Sequence, residues 1–226
     1  MLCLVTDRHR LAARRGRLGD PLVSLLEQVY AAGRAGVDLV HLRERDLPGR
    51  PLLELASACV RATEGTTTRV VVNDRADVAI AAGAAGVHLR GDSIDARRVR
   101  DLAPAGFLIG RSVRSADEAR IEAGRGAVDY LVLGTMFPTE SKVAGCALAG
   151  PDELARLTRR VTVPVIGIGG VTAATMPALA AAGAAGFAAI GWFIDVLDPA
   201  FSEQQVSERI AEARRLFDTS RSISYH

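Results

Sequence analysis

Basic residues in two separate stretches of the chain have the side chains that bind phosphate groups. Arg43 and Arg45 alternate within the stretch from His41 to Arg45, and Lys142 ends a loop that starts at Gly134. A guanidinium group can hold two phosphate oxygens at once, whereas an ammonium group acts as a compact point charge. Lys142 is the only lysine in a chain with 28 basic residues, which favours a specific role for it. The pattern predicts a phosphorylated ligand.

The alternative role for Arg43 and Arg45 is in surface ion pairs. Glu44 and Asp46 are their neighbours in sequence and carry the opposite charge. Exposed ion pairs contribute little to stability, so selection for such pairs is weak. Phosphate binding is therefore the favoured interpretation.

Glycines in the last third of the chain predict a second phosphate site. Gly169 and Gly170 follow one apolar run, and Ile190 and Gly191 follow the next. Glycine lets backbone N–H groups approach an anion closely, and loops of this kind bind phosphate in many barrel enzymes. The same glycines could serve only to form tight turns. Two anion sites together imply a diphosphate ligand or two phosphorylated ligands.

Asp74 is the candidate metal ligand. It follows an apolar run that ends at Asn73, and Mg2+ commonly binds one or two carboxylates together with substrate phosphates. A carboxylate at this place could equally cap the next helix. His41 and His88 also stand near the ends of apolar runs, where we expect hydrogen-bonded wall residues rather than catalytic bases. The sequence has neither zinc-ligand spacing nor a serine or cysteine nucleophile motif.

The apolar pattern predicts a scaffold that brings these distant loops together. Eight short, unbroken apolar runs alternate with stretches of helical periodicity, which is typical of βα units and a parallel sheet. The runs are 2–6, 37–42, 69–73, 86–89, 107–110, 129–134, 163–168 and 187–191. Eight such units in 226 residues predict an α/β fold with a single (β/α)8 TIM barrel, and a doubly wound open sheet is the second choice. In a barrel, the polar loops meet at one rim.

Helical periodicity covers much of the sequence between the apolar runs. The clearest helical stretches are 21–35, 51–63, 116–123, 152–159 and 174–182, and a last one spans 203–217. We expect the barrel domain to occupy residues 1–217, followed by a solvated tail over 218–226. The stretch 10–19 is expected to form a mobile surface insertion.

Composition excludes several classes of protein. The chain is 49% hydrophobic and 24% charged, and its net charge of +2 comes from interspersed residues, as in soluble globular proteins. It has no polybasic block for nucleic acid, no apolar run long enough for a membrane span and no signal-peptide pattern. We therefore expect a cytoplasmic protein without nucleic-acid or membrane partners, with Cys3 and Cys59 in its core.

The loops together resemble those of a known family. The matching stretches are 40–45, 72–75, 86–89, 109–115, 129–142 and 164–171. In this order, and spanning nearly the whole chain, they are similar to the thiamine phosphate synthase family, which includes the thiazole tautomerase branch called TenI. The loop from Pro138 to Lys142, with the later Ile-Gly-Gly, is the most specific part of the match.

The resemblance implies a reaction and a role for the candidate residues. A synthase joins hydroxymethylpyrimidine pyrophosphate to thiazole phosphate and releases pyrophosphate, with Mg2+ as its cofactor. By position, the implied pyrophosphate ligands are Arg43, Arg45, Asn73 and Lys142, with Ser112 assisting and Asp74 binding Mg2+. The implied contacts of the thiazole phosphate are Thr139, Ser141, Gly169, Gly170 and Gly191. The family also often forms dimers, so a homodimer is a further implied assembly.

Three positions depart from the synthase pattern. His41 stands where synthases usually have a glutamine that reads the pyrimidine, and Arg45 stands where they usually have lysine. Ser93 stands where they usually have a second aspartate for Mg2+, and Asp92 or Asp95 could substitute for it. These departures are similar to the tautomerase branch.

The tautomerase branch does not match completely either. Its proton-transferring histidine corresponds to Arg114, and an arginine stays protonated and is a poor general base. The leading prediction is a synthase-like transferase of thiamine biosynthesis that uses Mg2+. A thiazole tautomerase, which isomerises thiazole phosphate carboxylate without metal, and a non-catalytic barrel that binds thiamine-type phosphates remain open.

Overall fold

Eight short strands form the centre of the structure, a computed structural model that describes residues 1–16, 19–139 and 148–223, with side chains described as far as Phe217. The strands are β1 (Leu2–Val5), β2 (Leu39–Leu42), β3 (Arg69–Asn73), β4 (Gly86–Leu89), β5 (Leu108–Val113), β6 (Tyr130–Gly134), β7 (Val165–Ile168) and β8 (Gly186–Ala189). Each strand pairs in parallel with the next, and β1 pairs with β8, so the sheet closes into a barrel. The predicted (β/α)8 barrel is confirmed, and the open-sheet alternative is wrong.

Helices form the outer layer around the barrel. They are α1 (Arg8–Arg14), α2 (Pro21–Arg34), α3 (Gly49–Ala62), α4 (Ala76–Ala81), α5 (Ala96–Leu102), α6 (Ala116–Gly124), α7 (Gly150–Thr158), α8 (Met176–Ala181), α9 (Gly191–Val196) and α10 (Glu203–Ile223). The last helix does not end at Phe217 as expected but continues to Ile223, so the stretch 218–226 is not wholly a tail. The division into a barrel domain and a tail otherwise stays a prediction.

Helix α1 lies in a segment that the sequence pattern assigned to a mobile insertion, and that expectation is wrong for its first half. The Asp7 carboxylate accepts a hydrogen bond from the Arg10 backbone N–H at 2.9 Å, which caps the helix. Leu11 is buried and fixes the helix against the barrel. One capping residue and one apolar contact are too weak a pattern to recognise from periodicity alone.

Strand alternation divides the apolar residues into two cores. The outer core lies between strands and helices and includes the fully buried Phe187, whose burial is worth about 1.5–3 kcal/mol. The smaller inner core fills the barrel and consists of Cys3, Val5, Leu39, Val71, Tyr130, Val132, Ile166 and Ala188. Cys3 and Cys59 are both buried free thiols, as expected. The barrel is therefore a packed support for the loops above it.

Tyr130 fills the inner core at the point where the polar residues begin. Its ring packs against Gly110 on the neighbouring strand, where a Cβ atom would lie 2.1 Å from the Tyr130 Cζ. Burial raises the pKa of the Tyr130 hydroxyl, so this group stays protonated and acts as a hydrogen-bonding group. Gly110 is therefore required by packing against an aromatic ring.

Across the described residues, no helix combines the length and the apolar character that crossing a membrane requires.

Candidate active site

A cavity of about 410 Å³ opens among the loops at the carboxyl ends of β2 to β5. Its wall includes five of the predicted site residues, which are His41, Arg43, Arg45, Asn73 and Ser112. The sequence separates these side chains by as much as 71 positions, and closure of the barrel brings them together. This is the face on which barrel enzymes carry their active sites.

The other predicted site residues are not among the described residues that line this cavity. Asp74 lines an adjoining pocket of about 190 Å³, which shares Arg45, Asn73 and Arg90 with the larger cavity. The predicted phosphate-loop residues Gly169, Gly170, Ile190 and Gly191, together with Thr139, are not part of the cavity wall. Ser141 and Lys142 lie outside the described residues. Phosphate binding by the second basic stretch, which ends at Lys142, therefore stays a prediction.

The cavity wall is strongly basic. The described residues that line it include four guanidinium groups, from Arg43, Arg45, Arg90 and Arg114, and one carboxylate, from Asp92. The pKa of Arg43 is lowered by burial and then by the nearby charge of Arg45, yet an arginine remains protonated at neutral pH. A cavity with this excess of positive charge attracts an anionic ligand.

Glu44 and Asp46 pair with Arg8 on α1 and not with the arginines beside them in sequence. Arg8 Nη1 donates to Glu44 Oε2 at 2.8 Å, and the Glu44 side chain is 2% exposed. Among the described residues, no carboxylate lies within ion-pair distance of Arg43 or Arg45. The surface ion-pair alternative is therefore wrong, and both guanidinium groups are available to a ligand.

Two histidines form the floor of the cavity. The rings of His41 and His88 lie 4.5 Å apart, centroid to centroid. His41 Nε2 is hydrogen-bonded to Asn73 Oδ1 at 3.2 Å, and His88 bridges Ser112 Oγ at 2.8 Å and the Tyr130 hydroxyl at 3.2 Å. These contacts confirm the expectation of hydrogen-bonded wall residues.

Burial determines the charge state of the two imidazoles. It lowers the pKa of His88 to about 3, with a further contribution from the charge of Arg111. Burial also lowers the pKa of His41 well below its usual range, and the neighbouring His88 adds to this effect. Both rings are therefore neutral at pH 7 and offer hydrogen-bonding groups without adding charge.

Asp74 has contacts that exclude the alternative role of a helix cap. Helix α4 begins after Arg75 and has no side-chain cap, and Asp74 has a backbone φ of 63°. Its Oδ1 accepts a hydrogen bond from Ser93 Oγ, and its Oδ2 lies 3.8 Å from Arg90 Nη1. The helix-cap alternative for Asp74 is wrong.

The surroundings of Asp74 do not fit a magnesium site with two carboxylates. Asp92 is paired with Arg90, whose Nε donates to Asp92 Oδ1 at 2.9 Å, and Asp95 caps α5 and pairs with Arg97. No group of three or more His, Cys, Asp or Glu side chains arranged for a metal occurs in the described part of the chain. Asp74 is left with a serine hydroxyl and a guanidinium group where further metal ligands would be needed.

The glycines after β7 are required by close packing. Gly169 and Gly170 have φ values of 101° and 65°, and a Cβ on Gly170 would lie 2.5 Å from the carbonyl oxygen of Pro138. The tight-turn explanation is sufficient for both residues. Their role in phosphate binding stays a prediction.

Arg10 lies at the other predicted phosphate loop and was missed by the sequence analysis. Its Nη2 atom is 3.2 Å from the position that a Cβ on Gly191 would occupy. The signal that could have found it is Asp7, which caps α1 and places Arg10 in the first turn of this helix.

The comparisons with known proteins agree with this architecture. The family model described as thiamine monophosphate synthase matches residues 2–193. A relative from Geobacter sulfurreducens, named as a candidate thiamine-phosphate synthase, is 42% identical over 198 residues, which is 88% of each chain. The thiamine-phosphate synthase of Methanoculleus marisnigri is 39% identical, over 94% of this chain and 96% of its own.

A solved structure gives the same result. The thiamine phosphate pyrophosphorylase of Pyrococcus furiosus superimposes with a TM-score of 0.75 at 27% identity, covering 97% of this chain and 96% of that one. The family model alone covers well over half of the sequence. The chain belongs to the thiamine monophosphate synthase family.

Proposed function

We propose that the protein is a thiamine-phosphate synthase, a transferase that joins hydroxymethylpyrimidine pyrophosphate to thiazole phosphate and releases pyrophosphate. The observation that carries the proposal is the cavity at the strand ends, lined by four guanidinium groups and one carboxylate in a chain of this family. A pyrophosphate leaving group needs such concentrated positive charge.

The reaction breaks one bond and forms one. The bond between the pyrimidine methylene carbon and the pyrophosphate oxygen breaks, and pyrophosphate takes the electron pair. The thiazole nitrogen then uses its lone pair to form the new carbon–nitrogen bond. Arg43 and Arg45 hold the departing anion, with Asn73 and the predicted Lys142, and Ser112 on β5 assists. No general base is required, because the thiazole nitrogen carries no proton.

The rest of the proposed site accommodates the two rings. The neutral imidazoles of His41 and His88 suit an uncharged pyrimidine, and apolar side chains such as Val5, Val132 and Ile168 continue the wall. Thr139 and Ser141, with Gly169, Gly170, Ile190 and Gly191, are proposed to hold the thiazole phosphate. Cytoplasmic location and a homodimer remain part of the proposal.

The expected cofactor is Mg2+ at Asp74, and the contacts of Asp74 do not support it. We therefore assign no step of the reaction to a metal. We assign the stabilisation of the leaving group's negative charge to the arginines of the cavity wall.

A thiazole tautomerase of the TenI branch is the second candidate. It is favoured by Ser93, whose hydroxyl occupies the place beside Asp74 in which a synthase would carry a second carboxylate. It is disfavoured by Arg114, which lines the cavity at the position of the tautomerase histidine and cannot accept a proton. A barrel that binds thiamine-type phosphates without turnover is the third candidate.

One assay separates the three candidates. The purified protein is incubated with hydroxymethylpyrimidine pyrophosphate and thiazole phosphate, once with Mg2+ and once with EDTA, and thiamine phosphate and pyrophosphate are quantified together. We expect equal amounts of the two products. In parallel, thiazole phosphate carboxylate is supplied without the pyrimidine. Its isomerisation, in the absence of thiamine phosphate formation, would establish the tautomerase, and binding without either product would establish the non-catalytic barrel.

A further inference from the structure

The loop after β4 places a guanidinium group beside the expected metal ligand. Arg90 Nη1 lies 3.8 Å from Asp74 Oδ2, and the other side of the guanidinium is paired with Asp92. The Arg90 backbone N–H donates to Ser93 Oγ at 2.8 Å, and Ser93 Oγ in turn donates to Asp74. The loop is therefore folded around the Asp74 carboxylate.

A buried residue of the barrel holds the loop after β4 in place. Arg111 on β5 is buried, and its guanidinium donates to the carbonyl oxygens of Ile94 at 2.8 Å and Gly91 at 3.1 Å. These two bonds fix the loop that carries Arg90. The position of the Arg90 guanidinium thus depends on a buried strand residue as well as on its exposed partner Asp92.

Arg90 also connects the two pockets. It lines the larger cavity together with Arg43 and Arg45, and it lines the smaller pocket together with Asp74 and Arg45. A ligand with two linked phosphate groups can therefore contact Arg43 in one pocket and Arg45 and Arg90 at the boundary. Guanidinium groups bind such oxygens in pairs and at fixed angles.

The same position disfavours a divalent cation. A metal bound to Asp74 would stand next to the Arg90 guanidinium, which carries the same sign of charge. Asp74 already accepts the Ser93 hydroxyl, and the Asp92 carboxylate of the same loop is paired with Arg90. A metal bound through Oδ1 would compete with the Ser93 hydroxyl, and a metal bound through Oδ2 would meet the Arg90 guanidinium.

We propose that this site binds diphosphate without a divalent cation, and that Arg90 supplies the positive charge beside Asp74 that a metal would otherwise supply. The identity of the ligand as a diphosphate rests on the proposed synthase function. The site is an anion site made of three guanidinium groups, those of Arg43, Arg45 and Arg90.

Calorimetric titration with inorganic pyrophosphate tests the proposal independently of turnover. The purified protein is titrated in EDTA and again in excess Mg2+. We expect binding in EDTA, and no tighter binding when Mg2+ is added. A tenfold or larger gain in affinity with Mg2+, or binding that EDTA abolishes, would overturn the proposal.

A matched pair of variants tests Arg90 itself. Arg90→Gln should weaken pyrophosphate binding in EDTA by about tenfold or more, because one charge-assisted contact is lost. Arg97→Gln is the control, since Arg97 is also solvent-exposed and paired with an aspartate two residues away, Asp95, but lies away from the cavity. Equal affinity of Arg90→Gln and wild type would refute the role, and thermal unfolding checks that both variants fold.

The double variant Arg90→Gln with Ser93→Asp tests the relation to metal. It removes the guanidinium and adds a second carboxylate beside Asp74, so pyrophosphate binding should become tighter with Mg2+ than with EDTA. If this variant still bound pyrophosphate equally well with Mg2+ and with EDTA, the proposal would be refuted.

The two proposals can fail separately. Pyrophosphate binding in EDTA without formation of thiamine phosphate would refute the synthase function and leave the anion site standing. Formation of thiamine phosphate that requires Mg2+ would support the synthase function and refute the metal-free anion site.

Discussion

Replacing Glu44 should destabilise the barrel and disturb the basic site. The Glu44 carboxylate is buried between β2 and α1, where it accepts hydrogen bonds from Thr6 Oγ1 at 2.7 Å, the Arg8 backbone at 3.2 Å and Arg8 Nη1 at 2.8 Å. Thr6 Oγ1 also accepts the Arg43 backbone N–H at 2.9 Å. Glu44 therefore acts on the cavity through Thr6, as a positioning residue.

The expected loss in the free energy of unfolding depends on which partners each substitution leaves unpaired. Glu44→Ala leaves the Arg8 guanidinium, which is 11% exposed, without its buried partner. Breaking a buried ion pair costs about 3–5 kcal/mol. Because Arg8 keeps its second partner, Asp46, we expect the lower end, about 3 kcal/mol. Glu44→Gln keeps the shape and one acceptor oxygen, so its cost should be about 1–2 kcal/mol.

Urea unfolding measures these costs, and pyrophosphate titration measures the effect on the site. Glu54→Ala is the control, because Glu54 forms an exposed pair with Arg50 on α3, and its loss should cost less than about 0.5 kcal/mol. We also expect weaker pyrophosphate binding in Glu44→Ala and partial recovery in Glu44→Gln. If Glu44→Ala costs no more than Glu54→Ala, the buried network does not stabilise the fold and the reasoning is refuted.

Two further predictions concern the floor of the cavity. Because burial lowers the pKa of His88 to about 3, the unfolded chain binds more protons between that value and the ordinary histidine pKa of about 6.5. Stability should therefore fall as pH decreases below about 6.5, by up to about 1.4 kcal/mol per pH unit for each buried histidine, and His88→Gln should flatten this slope in urea unfolding at a series of pH values. Gly110→Ala should cost about 1–3 kcal/mol, because the added Cβ would overlap the Tyr130 ring, whereas Gly124→Ala, with no atom within 4 Å of its Cβ, should be tolerated.

The barrel was predictable because its strands are covered on both faces. Each strand is then a continuous apolar run, and eight such runs at regular spacing leave few alternative architectures. The predicted second strand began at residue 37, but β2 begins at Leu39, because buried Val37 belongs to the outer core before the ladder starts. Short helices such as α4 and α5 were not among the predicted helices, since six or seven residues give too little periodicity.

The site was predictable only in part, because side-chain direction decides which residues meet. Arg43 and Arg45 lie next to Glu44 in sequence, which suggested pairing. β2 ends at Leu42, and Arg43 to Arg45 follow in the loop after it. In this loop Arg43 and Arg45 line the cavity with His41, while Glu44 meets Arg8 on α1. The absence of α1 from the predicted elements concealed this partner.

Charge explains why Ser93 and Arg90 belong together. Two carboxylates and one divalent ion have a combined charge of zero. Asp74, the neutral Ser93 hydroxyl and the Arg90 guanidinium also sum to zero, and they occupy one hydrogen-bonded group. Asp92 shares Arg90, but its side chain is 66% exposed, so water screens much of its charge. The resemblance to synthases implies that Ser93 replaces a metal ligand. In the proposed guanidinium site, Ser93 belongs to the same hydrogen-bonded group as Asp74, and the Arg90 charge balances the carboxylate.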